Sequence, residues 1–171
     1  MSRISSTFLD LKSGNKKALV GYIVIGDPDI QSSLSVMNLM VSQGVNLLEL
    51  GVAFSDPMAE GPVIQRAHER ALESKTTLAK TINLVKRFRE MNNTTPIILM
   101  GYSNTFECMG INKFCKLASK CGVDGVLLVD MPPEESLLLS KEANKFDLDI
   151  IRLISPNTSQ ERTKQICSQA S

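Results

Sequence analysis

Two glutamates eleven residues apart raise the first chemical question in this chain. Glu49 interrupts an apolar run, Leu47-Leu48-Glu49-Leu50, that otherwise reads as a buried strand. Glu60 follows in the loop of LLELGVAFSDPMAEGPVIQ, residues 47–65, built from Ser, Asp, Pro and Gly. A carboxyl among apolar side chains has its charged form disfavoured, so its pKa rises toward neutrality. There it can both take and give a proton, which points to general acid–base chemistry for Glu49. The plainer reading is a strand-end glutamate in water or paired with a lysine. Glu60 carries less weight alone, because acids are common in loops. Asp56, beside Pro57, suits a turn held by side-chain bonds. Asp130 suits a helix cap or turn before MPPEE. Tyr22 and Tyr102 read as core aromatics whose phenols need partners if buried. His68, near Arg66, Glu69 and Arg70 in a helical stretch, reads as a surface residue with no catalytic partner.

Acids placed this way need a scaffold, and the rest of the chain is an alternation. Residues 3–12 predict a short amphipathic helix with Ile4, Phe8 and Leu11 on one face. Residues 18–25 predict a first strand, after which Asp27 and Pro28 suit the N-cap and first turn of a helix that ends at Gly44. Further strands are expected at 46–50, 97–101, 124–129 and 148–154. Helices are expected near 62–73, 77–91, around Ile111–Cys121, from PPEES at 132–136, and over 158–168. The strands are short continuous apolar runs, as in sheets covered on both faces. A leading helix and five βα units result, which leads to a doubly wound sheet or a (β/α)8 barrel. No GxGxxG follows the first strand, so the dinucleotide-binding reading is weak.

Strand parity sharpens the picture. Leu47 and Glu49 share one face of the second strand, and Leu48 and Leu50 the other. In a barrel wall, Tyr22, Met100, Tyr102, Leu127, Val129 and Leu153 then line the upper interior with Glu49. That is an apolar and aromatic slot holding one carboxylate.

Composition narrows the function classes. The 171 residues are 43% hydrophobic and 22% charged, enough for one sizeable core. With 19 basic and 18 acidic side chains, net charge is +1, which gives no reason to expect nucleic acid or an anionic membrane as partner. Lys86, Arg87 and Arg89 fall on a helical pattern and read as a solvated face. No apolar run approaches the ~20 residues of a membrane span, and the N-terminus has no signal-peptide core. One histidine and four cysteines without a CxxC pair make a zinc site improbable, and no metal is expected. Cys115 and Cys121 read as reduced core thiols, and the location expected is cytoplasmic.

The stretch at 47–65, with GDPD at 26–29, MGYSN at 100–104, GVDGVLLVDMPPEES at 122–136 and SPN at 155–157, resembles the tryptophan synthase alpha chain family. The motifs keep the family's order across essentially the whole chain. The resemblance implies a (β/α)8 TIM barrel, represented here by the leading helix and first five βα units. It implies retro-aldol cleavage of indole-3-glycerol phosphate to indole and glyceraldehyde 3-phosphate, a step of tryptophan biosynthesis needing no metal or cofactor of its own. Indole then passes to a beta chain in an alpha2beta2 complex, and pyridoxal phosphate belongs to that partner. By the same resemblance, Glu49 is the principal acid–base group and Glu60 the second acid, acting at the indole nitrogen. Tyr22, Met100, Tyr102, Leu127, Val129 and Leu153 surround the indole. Asp56, Asn104 and the 130–135 loop, with Asp130, Pro132 and Glu134, face the beta chain.

This chain departs from the family's pattern in four ways. Glu60 stands where aspartate is usual, Ala53 where proline is common, and Val24 where threonine is frequent. The fold also needs ~250 residues, so the expectation is a single domain over 1–171 forming the N-terminal part of a longer barrel, with strands six to eight missing. Such a piece alone is expected to be inactive. Two other readings stand beside the lyase: a non-catalytic alpha-like activator of a beta chain, and another sugar-phosphate barrel enzyme.

Overall fold

The computed structural model describes residues 2–171. In chain order the elements are α1 (Arg3–Ser13), β1 (Val20–Val24), α2 (Ile30–Ser42), β2 (Leu47–Gly51), α3 (Pro62–Glu73), α4 (Leu78–Arg89), β3 (Ile97–Gly101), α5 (Ser103–Met109), α6 (Ile111–Cys121), β4 (Gly125–Leu128), α7 (Leu137–Lys145), β5 (Asp149–Ile151) and α8 (Gln160–Cys167). A single 3-10 turn, Pro133–Glu135, precedes α7. All strand pairs are parallel, and the sheet order is β1-β2-β3-β4-β5. Each strand lies beside its successor, whereas a doubly wound sheet reverses direction at a switch point. The winding is that of a (β/α)8 barrel wall.

Side-chain alternation divides this wall into two faces. Leu48, Leu50, Ile97, Leu99, Val126 and Ile150 point to the helices and share a core with Met37, Ile82, Phe88 and Phe114. On the other face Leu47, Ile98 and Leu127 pack with Met100, Val129, Ile151 and Ile4 of α1. Leu47 and Glu49 therefore lie on the inner face, as parity requires. The register sets Tyr22 beside Glu49 beside Ile98, and Gly51 beside Met100 beside Leu127.

A charged cluster holds the opposite ends of these strands. Asp124, just before β4, accepts from the Ile97 amide at 2.7 Å and pairs with Arg89 of α4 and Arg3 of α1, each at 2.8 Å. Arg89 also donates to the carbonyls of Gly122, at 2.9 Å, and Thr95, at 2.7 Å. This corrects the reading of Lys86, Arg87 and Arg89 as one solvated face, since Arg89 is only 8% exposed. Its partners, Asp124 and these carbonyls, are what make the burial tolerable. Gly122 ends α6 at φ +89°, and a Cβ there would lie 2.8 Å from the Arg89 Cγ. Glycine is thus demanded both by conformation and by the arginine packed over it.

Some boundaries differ from those expected. Asp29 rather than Asp27 caps α2, its Oδ1 accepting from the Ser32 amide at 2.8 Å. Asp27 is instead held by a two-pronged Arg70 contact, 2.7 Å on each oxygen, which ties this loop to α3. The PPEES helix start opens with the 3-10 turn before α7 begins. Helix α5 was not expected from periodicity. Its seven residues are too few to show one, and its first amide is capped from a distant loop by Asp130. Strand β5 ends at Ile151, short of the expected 154. Cys115 is buried as a core thiol, and burial pushes its pKa up to about 11.

Candidate active site

The loops after β1, β2 and β3 open at the C-terminal ends of the strands, where α/β barrels place their chemistry. Glu49 lies on the inner face of β2, half-buried beside Tyr22 and Ile98. Burial alone raises its pKa above the ordinary carboxylate value. A shift in that direction is the one that favours a group which must both hold and release a proton.

Tyr22 crosses the end of β2. A Cβ on Gly51 would approach its hydroxyl to 2.3 Å, so the absent side chain makes room for the phenol. That hydroxyl is buried and has no hydrogen-bond partner. Burial pushes its pKa upward, and the nearby charges of Glu60 and Glu49 push in the same direction. It lies within the electrostatic reach of both acids.

Glu60 does not wave in solvent. Its side chain is 7% exposed. The Tyr102 hydroxyl donates to its Oε2 and accepts from the Ala59 amide at 2.9 Å. Tyr102, 2% exposed, stacks on Phe54 with centroids 4.8 Å apart and planes 19° from parallel. Burial first, then the bond to Glu60, pushes its pKa up to about 12. The Gln65 side chain holds the Glu60 carbonyl at 2.9 Å. The loop is thereby fixed to the start of α3, where Pro62 occupies the first turn.

His68 is the largest correction. It is not on the surface but 2% exposed, with its Nε2 facing the Glu60 Oε1 at 4.0 Å and its Nδ1 accepting from the Phe54 amide at 3.2 Å. Burial lowers its pKa, and Glu60 opposes part of that shift. The sequence held a signal for this placement. Ile64, Ala67 and Ala71 form an apolar stripe at helical spacing, and His68 sits on it, one turn after Ile64. Ala67 and Ala71 do pack against Val24 and Ala53, with Tyr22 and Ile64 at their edge.

The remaining candidates divide. Met100, Leu127 and Val129 join the inner-face cluster, with Met100 and Leu127 level with Gly51, two residues beyond Glu49 along the strands. Leu153 does not, because β5 has already ended; it is 59% exposed and borders a separate cleft of about 300 Å³ with Val129, Arg152 and Ile166. Asp56 is exposed on the β2–α3 loop beside a shallow recess of about 330 Å³, and its carboxylate accepts from the Ser55 hydroxyl. Asn104 lies exposed on α5. Asp130 caps that helix, accepting from the Ser103 amide at 2.7 Å and hydroxyl at 2.9 Å. Pro132 leads into the 3-10 turn, and Glu134 pairs with Arg162, which holds its carboxyl down to about 2. Asp56, Asn104, Asp130, Pro132 and Glu134 follow β2, β3 and β4, so they share one end of the sheet with the acids. No three His, Cys, Asp or Glu side chains among the described residues are grouped to hold a metal ion. No helix among the described residues is long and apolar enough to cross a membrane.

The family model described as tryptophan synthase alpha chain matches residues 8–171. The chain belongs to the tryptophan synthase alpha chain family. It is 49% identical over 170 residues to the tryptophan synthase alpha chain of Thiobacillus denitrificans, covering 99% of this chain and 62% of that one. The alpha chain of Methylococcus capsulatus is also 49% identical, over 168 residues, with 63% of its length covered. A crystal structure of the alpha subunit from Legionella pneumophila superposes with a TM-score of 0.96 at 46% identity, over 99% of this chain and 65% of that one. The tryptophan synthase complex of Pyrococcus furiosus gives 0.85 at 37% identity, over 90% of this chain and 63% of that one. A related Pyrococcus furiosus structure is described as bearing on mutual activation within the a2b2 complex. This family member spans a little under two thirds of the length of these relatives.

Proposed function

We propose that the protein carrying this sequence is the cytoplasmic lyase subunit of tryptophan synthase, cleaving indole-3-glycerol phosphate to indole and glyceraldehyde 3-phosphate. The observation that carries this reading is the pair of acids at the end of β2. Burial on the inner face raises the pKa of one carboxyl, and Tyr102 holds the second on the loop that follows. Cleavage requires a proton at the indole C3 carbon. The bond from C3 to the glycerol chain then breaks as the adjacent hydroxyl loses its proton and becomes the aldehyde. A group that gives and takes a proton suits Glu49. A carboxylate near the ring N–H, fixed before substrate arrives, suits Glu60. Tyr22, Met100, Leu127 and Val129 supply flat and apolar surface for the indole. No cofactor enters these steps.

The partner is a beta chain, which holds pyridoxal phosphate and receives the indole. The loop carrying Asp56, together with Asn104, Asp130, Pro132 and Glu134, offers it residues from one end of the sheet. The test is indole release from indole-3-glycerol phosphate by the whole protein as its gene encodes it, with and without the beta chain. Glu49→Gln should reduce turnover at least about 10²-fold while beta-chain binding persists. Full turnover in that variant removes Glu49 from the chemistry. The hold of Tyr102 on an acid one methylene longer than usual favours one rival, a non-catalytic activator. Absence of wild-type turnover alongside stimulation of the beta chain would establish it.

A further inference from the structure

The lyase reading leaves His68 unused, although it is a titratable side chain only 2% exposed beside Glu60. Its Nδ1 accepts from the Phe54 amide at 3.2 Å, which places the proton of the neutral ring on Nε2. That N–H is buried and without a partner. A buried donor left unsatisfied costs about 1–3 kcal/mol, so its orientation calls for an acceptor. The acceptor it faces is the Glu60 Oε1, at 4.0 Å. The other oxygen of the same carboxylate is taken by Tyr102. Tyr22 from β1 is a further ionisable group near this carboxylate, and it also feels the charge of Glu49 on β2.

We propose that His68 is a positioning residue for Glu60, its Nε2–H holding Oε1 while Tyr102 holds Oε2. The proposal rests on the lyase reading for its consequence but not for its geometry. Glutamate has one more rotor than aspartate, so a carboxylate at this position needs a further restraint to present one direction to the indole nitrogen. Two tethers from different elements, α3 and the end of β3, stop the carboxylate turning about its own axis. The gap of 4.0 Å is about an ångström beyond a hydrogen bond, and such contacts tighten when substrate closes the site. The neutral imidazole suits the task. Burial disfavours its charged form, and a neutral ring can orient the acid without neutralising it.

The test uses the whole protein with its beta chain and three variants, His68→Gln, His68→Leu and Glu60→Gln. Glutamine sets an N–H near the Nε2 position, and leucine sets none. The imidazole titration is followed by NMR, its signal assigned by its loss in His68→Gln. Removing the Glu60 charge should lower the His68 pKa, because Glu60 is the group that raises it. Turnover should show kcat falling about 10- to 100-fold in His68→Leu with KM within about twofold, and recovering to within about threefold of wild type in His68→Gln. A His68 titration indifferent to Glu60→Gln overturns the pairing. Equal kcat in the leucine and glutamine variants overturns the positioning role. A wild-type protein without lyase turnover sinks the functional reading instead, and the titration alone then decides whether the pair exists.

Discussion

The hold of Tyr102 on Glu60 can be isolated by removing one oxygen atom. Tyr102→Phe keeps the ring, its stacking on Phe54 and its buried area, so no cavity opens. Two hydrogen bonds disappear. The bond from the Ala59 amide counts for little, because Ala59 is exposed and water replaces the phenol. The bond to Glu60 joins the phenol of a residue 2% exposed to a carboxylate whose side chain is 7% exposed, so solvent screens it weakly. Hydrogen bonds to charged groups contribute about 1.5–3 kcal/mol, so the expected loss is about 2 kcal/mol. The assay is a double-mutant cycle by urea unfolding of the whole protein, with Glu60→Met as the second substitution. Tyr102→Phe should cost about 2 kcal/mol in the wild-type background and close to nothing in Glu60→Met. A coupling below about 0.5 kcal/mol, the ordinary error of additivity, would refute the claim that the phenol anchors this acid.

Two further outcomes follow from the charges. Burial raises the Glu49 pKa above its ordinary 4.5, so the folded state holds a proton that the unfolded chain releases as pH rises. Stability therefore falls as pH rises from 4.5 through the folded value; Glu49→Gln should raise the thermal midpoint at neutral pH, and the advantage should close below about 4.5, a constant difference across pH contradicting this. At the other end of the strands, Asp124→Ala strands the buried Arg89 guanidinium and should lower the unfolding free energy by about 3–5 kcal/mol. Denaturant titration measures it, and a loss below about 1 kcal/mol would mean that the Arg89 contacts to the Gly122 and Thr95 carbonyls suffice alone.

Much of the fold was legible because it rests on local regularities. The apolar runs marked all five strands, and the two-residue alternation placed Leu47 and Glu49 together before any neighbour was known. Gly122 marked the end of α6 because few other residues take that backbone conformation. Elements fixed by distant groups were less legible. Helix α5 is short and borrows its cap from Asp130, twenty-seven residues away. Leu153 was assigned to the slot on the assumption that the fifth strand ran on to 154, but ladder pairing with β4 stops at Ile151.

At the site the division falls between which residues are unusual and which of them meet. A carboxylate in an apolar strand is anomalous in any context, so Glu49 was conspicuous from sequence alone, and the family motif around Glu60 drew attention to the second acid. The same helical period that made α3 recognisable also put His68 on its apolar stripe. Its charged neighbours Arg66, Glu69 and Arg70 nevertheless suggested a surface. Arg89 misled in the same way, because a charged residue reads as solvated until its partner is known. Periodicity reports which side of an element a residue occupies, but not what covers that side. Only the packing of α3 over the ends of β1 and β2 turned His68 toward Glu60. Only the juxtaposition of α4 with the start of β4 gave Arg89 its aspartate. Local sequence determined the elements and the anomalous acid, while contacts between residues far apart in the chain decided which polar groups face one another.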